Sequence, residues 1–231
     1  MSSNILIVES KNDKYFLQAI IRYLNLNIEV ASPIIISEED YRPMDGLNKT
    51  KLTNALKDLK ADIQKGKIER VGIIIDIDND RESDRINFIN ECVQQAFTEA
   101  PLLVKVKEFV NLTIDGLNIQ LACYFTNLDG QGELETVLKN IKSQGSIHAD
   151  CLESWKKCLQ KNGKEISVKD FNKFWVDMYI RFDTCSKSEK KQAERKCSMK
   201  GFDYVMTNKT AIWDFEHPAL NDLKDFLRLF C

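Results

Sequence analysis

Two short apolar runs, residues 5–8 (ILIV) and 71–75 (VGIII), constrain the fold of this chain more than any other feature. Consecutive aliphatic residues with no polar alternation are the pattern of strands buried on both faces, as in a parallel sheet covered by helices. Segments of helical period follow each run. Residues 13–26 place Phe16, Leu17, Ile20, Ile21 and Leu24 on one stripe, with Asp13 near the amino-terminal cap. Residues 48–65 do the same through Leu52, Ala55, Leu56, Leu59 and Ile63, with Gly66 as the stop. Residues 81–97 repeat the pattern with Ile86, Phe88, Ile89, Val93 and Phe97. Strand and helix alternating in this way predict an α/β fold with a mainly parallel central sheet flanked by helices.

The remaining segments are less regular. Residues 28–30 and 33–36 read as one interrupted strand, Pro33 suiting an edge or bulge, followed by a polar loop over 37–46. Residues 102–106 and 119–125 read as strands, and DGLN between them as the turn of an antiparallel hairpin. Gly130 and Gly132 precede a helical pattern of Leu134, Val137, Leu138 and Ile141. From residue 148 to 195 the chain reads as long charged helices anchored by Trp155, Leu159, Phe171, Phe174, Trp175, Met178, Tyr179 and Phe182. Aromatic residues at this spacing are core in the first instance. Short apolar pieces at 204–206 and 210–213 surround Lys209, and Pro218 opens a last helix packed through Leu220, Leu223, Phe226, Leu227 and Phe230. The expected organisation is an α/β core over 1–145, a helical insertion over 146–200, and a strand and helix over 201–231 that return to the core.

Composition narrows the partners. With 33 basic residues against 35 acidic ones the net charge is −2, so no global positive field recruits nucleic acid or an anionic membrane. A polyanion site has to be local. Residues 186–200 (SKSEKKQAERKCSMK) are the best footprint for a phosphate backbone, with a solvated helix face as the other reading. Seven scattered cysteines without a C-x-x-C pair, and two histidines, offer little for zinc; the cysteines read as reduced thiols. With no basic region ahead of the first apolar run and no apolar stretch of bilayer length, the expected location is the cytoplasm.

Three acidic turns follow three expected strands: Glu9, then Asp76, Asp78 and Asp80, then Glu133 and Glu135. In extended backbone, residues two apart share a side, so Asp76 and Asp78 project together if the strand persists that far. Carboxyl ends of parallel strands share one edge, which brings Glu9 towards this pair if their strands are neighbours. A nest of carboxylates stays ionised when hard cations such as Mg²⁺ or Mn²⁺ sit among them. Each turn also has an ordinary reading: aspartates end strands in polar turns, Glu9 is an exposed residue of a βα turn, and Glu133 and Glu135 suit the first turn of a helix.

At these residues the chain resembles the Toprim family. A strand ending in glutamate before a polar turn and helix (ILIVESKNDKYFLQAI), and a later strand ending in D-x-D (GIIIDIDND), look like its two signature motifs. The GQGELET segment and the closing AIWDFEHPALNDLKDFL look similar to small stand-alone bacterial Toprim-like proteins, in the style of the overcoming-lysogenisation-defect nuclease branch. The resemblance implies a four-stranded, mainly parallel sheet, with Mg²⁺ or Mn²⁺ held by Glu9, Asp76 and Asp78. It implies a weaker place for Asp80, a later acidic position filled by Glu133 or Glu135, and an assisting lysine, for which Lys209 and Lys11 are candidates. Where a glycine usually follows the family glutamate this chain has Ser10, which carries a backbone cost if φ there is positive. The expected function is metal-dependent phosphodiester cleavage of nucleic acid, in defence or repair. A metal- or nucleotide-binding regulatory module without catalysis is the alternative, and a partner protein is compatible with both.

Overall fold

A computed structural model describes residues 4–31, 47–97 and 100–231. The expected apolar piece at 33–36 and the polar loop at 37–46 lie outside the described residues. The chain divides into two compact units, one formed by Met1–Gln131 with Asn221–Cys231, the other by Gly132–Leu220.

The first unit is mixed α/β. Its strands are β1 (Asn4–Val8), β2 (Glu29–Val30), β3 (Arg70–Asp76), β4 (Val110–Ile114) and β5 (Leu117–Thr126), and its long helices are α1 (Lys11–Tyr23), α2 (Lys49–Gln64) and α3 (Glu82–Ala96). The five strands lie in the order β2-β1-β3-β5-β4. β2, β1, β3 and β5 pair in parallel, and β4 pairs antiparallel with β5 at the edge. The sheet therefore has one strand more than the four that the family resemblance implies.

The apolar runs occupy the centre, as their lack of alternation requires. Ile7, Val71, Ile73, Ile75 and Ile77 share a buried cluster with Leu52, Leu56, Leu59 and Ile63 of α2 and with Ile86, Ile89 and Val93 of α3. The other face of β3 carries Gly72, whose missing side chain is a packing requirement. A Cβ there would stand 2.5 Å from Leu6 Cδ2 and 2.7 Å from Phe230 Cζ. The absent methyl lets Phe226 and Phe230, near the end of the chain, lie close against β3.

The hairpin differs from its expected register. Residues 102–106 form no strand. The buried Asn90 side chain takes both backbone groups of Leu103, donating from Nδ2 to the carbonyl at 2.9 Å and accepting the N–H at 2.8 Å. An amide side chain thus satisfies the polar groups that a neighbouring strand would otherwise pair. The true partner of β5 is β4, where Leu112 and Ile114 are buried while Asn111 and Thr113 are exposed. Ile114 pairs with Leu117, which leaves Asp115 and Gly116 as a two-residue turn with φ of 49° and 84°. Asp-Gly suits such a turn because both positions need left-handed backbone.

The second unit is helical: α4 (Leu134–Asn140), α5 (Ile147–Asp150), α6 (Leu152–Lys161), α7 (Val168–Met178), α8 (Ala193–Lys196) and α9 (Phe202–Asn208), with a π-helical turn at Tyr179–Asp183. These helices are shorter than expected. Asn162 and Gly163 end α6, the glycine at φ 69°. Its core stacks aromatics: Trp175 on Tyr179 at 5.3 Å, and Tyr179 against Trp213 at 5.3 Å. The Tyr179 hydroxyl donates to the Ile212 carbonyl at 2.8 Å. Where a strand was expected after residue 201, residues 202–208 are α9, and extended pairing is limited to one bridge between Lys142 and Trp213. The final helix, α10 (Asn221–Arg228), belongs to the first unit.

The cysteines are not all reduced thiols. Cys185 and Cys197 form a disulfide, while Cys92 and Cys123 are buried and free and Cys151, Cys158 and Cys231 are exposed and free. Residue types and spacing did not mark this pair, which is joined across twelve positions by the folding of the 185–197 loop. Among the described residues, no helix is long and apolar enough to cross a membrane.

Candidate functional site

The parallel register places the first two acidic turns at one edge. Val8 lies opposite Ile74, so Glu9 follows just as β3 runs on to Asp76, itself opposite Thr126 of β5. The Glu9 carboxylate crosses to the neighbouring strand: the backbone N–H of Asp76 donates to Glu9 Oε2 at 3.4 Å. Asp76 Oδ1 is enclosed from solvent.

The turn after Glu9 is unstrained. Ser10 has φ −127°, an extended conformation, so the serine at the position where the Toprim resemblance leads to glycine carries no left-handed cost. It caps α1 instead. Ser10 Oγ accepts from the Asp13 N–H at 3.3 Å, and Asp13 Oδ2 accepts from the Ser10 N–H at 2.9 Å. This reciprocal box satisfies two amides at the helix start and fixes the direction of the chain leaving Glu9.

The D-x-D geometry departs from strand alternation. β3 ends at Asp76, and Asp78 has φ 53°, in the left-handed region. The Asp80 N–H closes the turn on the Ile77 carbonyl at 3.1 Å. Asp78 and Asp80 then meet Arg85 of α3. Arg85 Nη2 lies 2.6 Å from Asp78 Oδ2, and Nε lies 3.1 Å from Asp80 Oδ2. Arg85 is only 12% exposed. The strand alternation that would set Asp76 and Asp78 on one side therefore stops at Asp76, and Arg85 joins Asp78 to Asp80.

Glu133 and Glu135 belong to the second unit. Glu133 is the buried N-cap of α4, and its backbone N–H donates to Thr136 Oγ1 at 3.4 Å. Burial pushes the Glu135 carboxyl above its ordinary range, against the pull of Lys173 and Lys169. Lys209 is also in the second unit, where Nζ donates to the Thr184 carbonyl at 3.1 Å and lies 3.4 Å from Glu189 Oε2. Lys11 opens α1, one residue past Ser10. Among the described residues, no group of three or more His, Cys, Asp or Glu side chains is gathered tightly enough to hold a metal by itself.

One residue escaped the sequence reading. Lys224 of α10 is 3% exposed. The end of the chain lies at the start of the strands, where Asn4 Nδ2 donates to the Phe230 carbonyl at 2.6 Å, and Phe226 stacks on Tyr124 at 5.5 Å. The helix thus runs antiparallel to β5, which sets Lys224 on the side of the carboxyl edge. Its signal was present in the sequence: Leu220, Lys224 and Leu227 fall at i, i+4 and i+7, so the lysine interrupts an apolar stripe.

The model of a family described as a protein of unknown function, DUF3226, matches residues 3–231. The chain belongs to this family. No curated protein matches it. Among solved structures, it is similar to the C-terminal region of the Xanthomonas campestris pv. campestris OLD protein phased with mercury, at 14% identity and a TM-score of 0.37, covering 99% of this chain and 98% of that one. The same region phased with iodine gives 12% identity, a TM-score of 0.38, and coverage of 99% and 95%.

Proposed function

We propose that the carboxyl edge of the sheet is a metal-dependent phosphodiester-cleaving centre acting on nucleic acid, with Glu9 and Asp76 as the carboxylates that hold Mg²⁺ or Mn²⁺. The observation that carries this reading is the Glu9 carboxylate lying against the Asp76 backbone at the ends of adjacent parallel strands. The donor set fits the ion: Mg²⁺ keeps several waters and is commonly bound through one or two carboxylates plus substrate phosphates. When bound, such an ion supplies Lewis-acid polarisation of a phosphoryl oxygen and lowers the pKa of a coordinated water.

The chain's own residues supply the rest. Ser10 and Asp13 hold the turn that presents Glu9. Lys224 provides a screened positive charge in the same unit, suited to offset charge developing on phosphate oxygens, and in this role it takes precedence over Lys209 and Lys11. Arg85 holds Asp78 and Asp80 in reserve; a guanidinium drawn to substrate phosphate would release their oxygens to the metal. Glu133 and Glu135 are left outside this proposed set, since each already has a role at α4 or among the lysines of α7.

The test is Asp76→Asn, assayed for Mg²⁺- and Mn²⁺-dependent cleavage of single- and double-stranded substrates, together with metal-induced thermal stabilisation. Loss of both, with the fold intact, is expected; unchanged cleavage removes the carboxyl edge from the reaction. The Arg85 contacts favour a second reading, a metal- or nucleotide-binding module without cleavage. Metal stabilisation in the parent protein without cleavage of any substrate would select it.

A further inference from the structure

The second unit contains an exposed aromatic ring among cations that the proposed centre does not use. The π-helical turn Tyr179–Asp183 closes with the Thr184 N–H donating to the Tyr179 carbonyl at 3.1 Å. The wide turn keeps Tyr179 and Ile180 buried and turns Arg181 and Phe182 outward. Phe182 is 42% exposed. Around its ring stand Lys190 Nζ at 5.3 Å from the centroid, Arg181 Cζ at 5.8 Å, and the His148 ring at 5.9 Å. His148 is itself oriented by Asp183, whose Oδ1 lies 2.8 Å from His148 Nδ1.

Lys190 comes from the loop that the Cys185–Cys197 disulfide closes. Between these cysteines the sequence has five cations, Lys187, Lys190, Lys191, Arg195 and Lys196, against two carboxylates, Glu189 and Glu194. Glu189 is turned inward: it accepts from the Ser186 N–H at 2.9 Å and lies 3.4 Å from Lys209 Nζ. Lys187, Lys190, Lys191 and Arg195 are exposed. The loop therefore presents four exposed cations against one exposed carboxylate, Glu194, beside a ring that is half open.

We propose that this surface binds single-stranded nucleic acid, with Phe182 stacking on a base and the loop cations contacting the flanking phosphates. The proposal rests on the nucleic-acid reading above and adds the strandedness of the substrate and the residues that hold it. Stacking on an aromatic face needs an unpaired base, whereas a duplex offers only its backbone. An acidic peptide would use the cations and leave the ring without a role.

The experiment uses the full chain carrying Asp76→Asn, in EDTA, so that nothing is cleaved and binding alone is read. Anisotropy of a short fluorescein-labelled oligothymidylate is followed across a salt series, with a matched duplex and a poly-glutamate peptide as competitors. Phe182→Ala is expected to weaken oligothymidylate binding by about 5- to 150-fold, the range of one lost base stack, and Phe182→Tyr to retain it. The double variant Lys190→Glu, Lys191→Glu is expected to flatten the salt dependence by roughly 1.4 in log–log slope, two phosphates' worth for a single strand. Unaltered melting curves show that the variants are folded. Equal binding by Phe182→Ala and its parent overturns the proposal. Equal competition by the duplex also overturns it, and equal competition by poly-glutamate assigns the surface to an acidic protein instead. Persistent cleavage by Asp76→Asn in metal would count against the proposed centre alone and leave this result standing.

Discussion

Arg85 Nη2 stands 2.6 Å from Asp78 Oδ2, so the second aspartate of the D-x-D motif is paired with a guanidinium. The same arginine reaches Asp80 at 3.1 Å and donates to the Ile77 carbonyl at 3.3 Å. One largely buried cation thus holds the whole 77–80 turn against α3. Replacing it by Met leaves two neighbouring carboxylates without their common partner. Arg85→Met is expected to cost about 1–3 kcal/mol in urea unfolding. It is also expected to enlarge the thermal stabilisation by Mg²⁺, because a divalent ion can then take the place of the guanidinium. An unchanged metal response would show that Asp78 and Asp80 do not take part in binding.

The cap on α1 gives a second expectation. Ser10 Oγ and the Asp13 carboxylate each satisfy the other's backbone N–H. Ser10→Ala is expected to lose about 1 kcal/mol of stability, while Ser10→Gly loses only a few tenths, since glycine is itself a tolerated cap. Urea titrations of the two variants give this order directly. An equal loss in both would show that the serine side chain is not the cap.

The pH dependence of stability carries the signature of the second unit. Burial raises Glu135 from its ordinary 4.5 and Asp177 from its ordinary 3.8, so both hold protons longer folded than unfolded. Over the interval between the unfolded and folded values the native state binds more protons, and stability falls as pH rises. Glu135→Gln removes one of these groups. Its melting temperature is expected to match the parent at pH below about 4 and to exceed it at neutral pH, with a shallower slope between. Parallel curves over that range would show that Glu135 is not desolvated.

The disulfide can be tested by thiol counting and unfolding. In the oxidised folded protein Cys151, Cys158 and Cys231 are the exposed thiols, and reduction followed by unfolding releases all seven. Closing a loop of this length constrains the unfolded chain, so reduction is expected to cost about 3 kcal/mol. Lys209 Nζ lies 3.0 Å from Cys185 Sγ, and an ammonium at that distance favours the thiolate. Once reduced, Cys185 is therefore expected to alkylate faster than Cys197, and Lys209→Met to abolish the difference. Mass spectrometry of partially labelled protein reads the ratio.

Much of the α/β unit can be read in the chain because its signals are local and strong. The runs at 5–8 and 71–75 have no polar residue to face water, and α1, α2 and α3 each carry a continuous apolar stripe. The hairpin was misread where two signals competed. The apolar run at 102–106 looks like a strand, yet Asn90 meets the backbone groups of Leu103, and the Asp-Gly pair specifies a turn too short to reach back to that run. Lys224 was missed for a different reason: a charged residue on an apolar stripe is informative only once the direction of its helix along the sheet is known.

The sequence by itself determined the buried strands, the helices between them, and the position of Glu9 and Asp76 at strand ends, because burial pattern and period are properties of adjacent residues. Tertiary structure alone decided how the first two acidic turns meet. Parallel pairing of β1 with β3 brings Glu9 to the Asp76 backbone, although 67 positions separate them. The left-handed backbone at Asp78 and the arrival of Arg85 from α3 interrupt the strand alternation on which the D-x-D pattern rests. The loop that joins Cys185 to Cys197, with Lys209 against its sulfur, likewise depends on contacts between elements. Side chains converge through pairing register and helix packing, and those depend on contacts distant in the chain that no local pattern encodes.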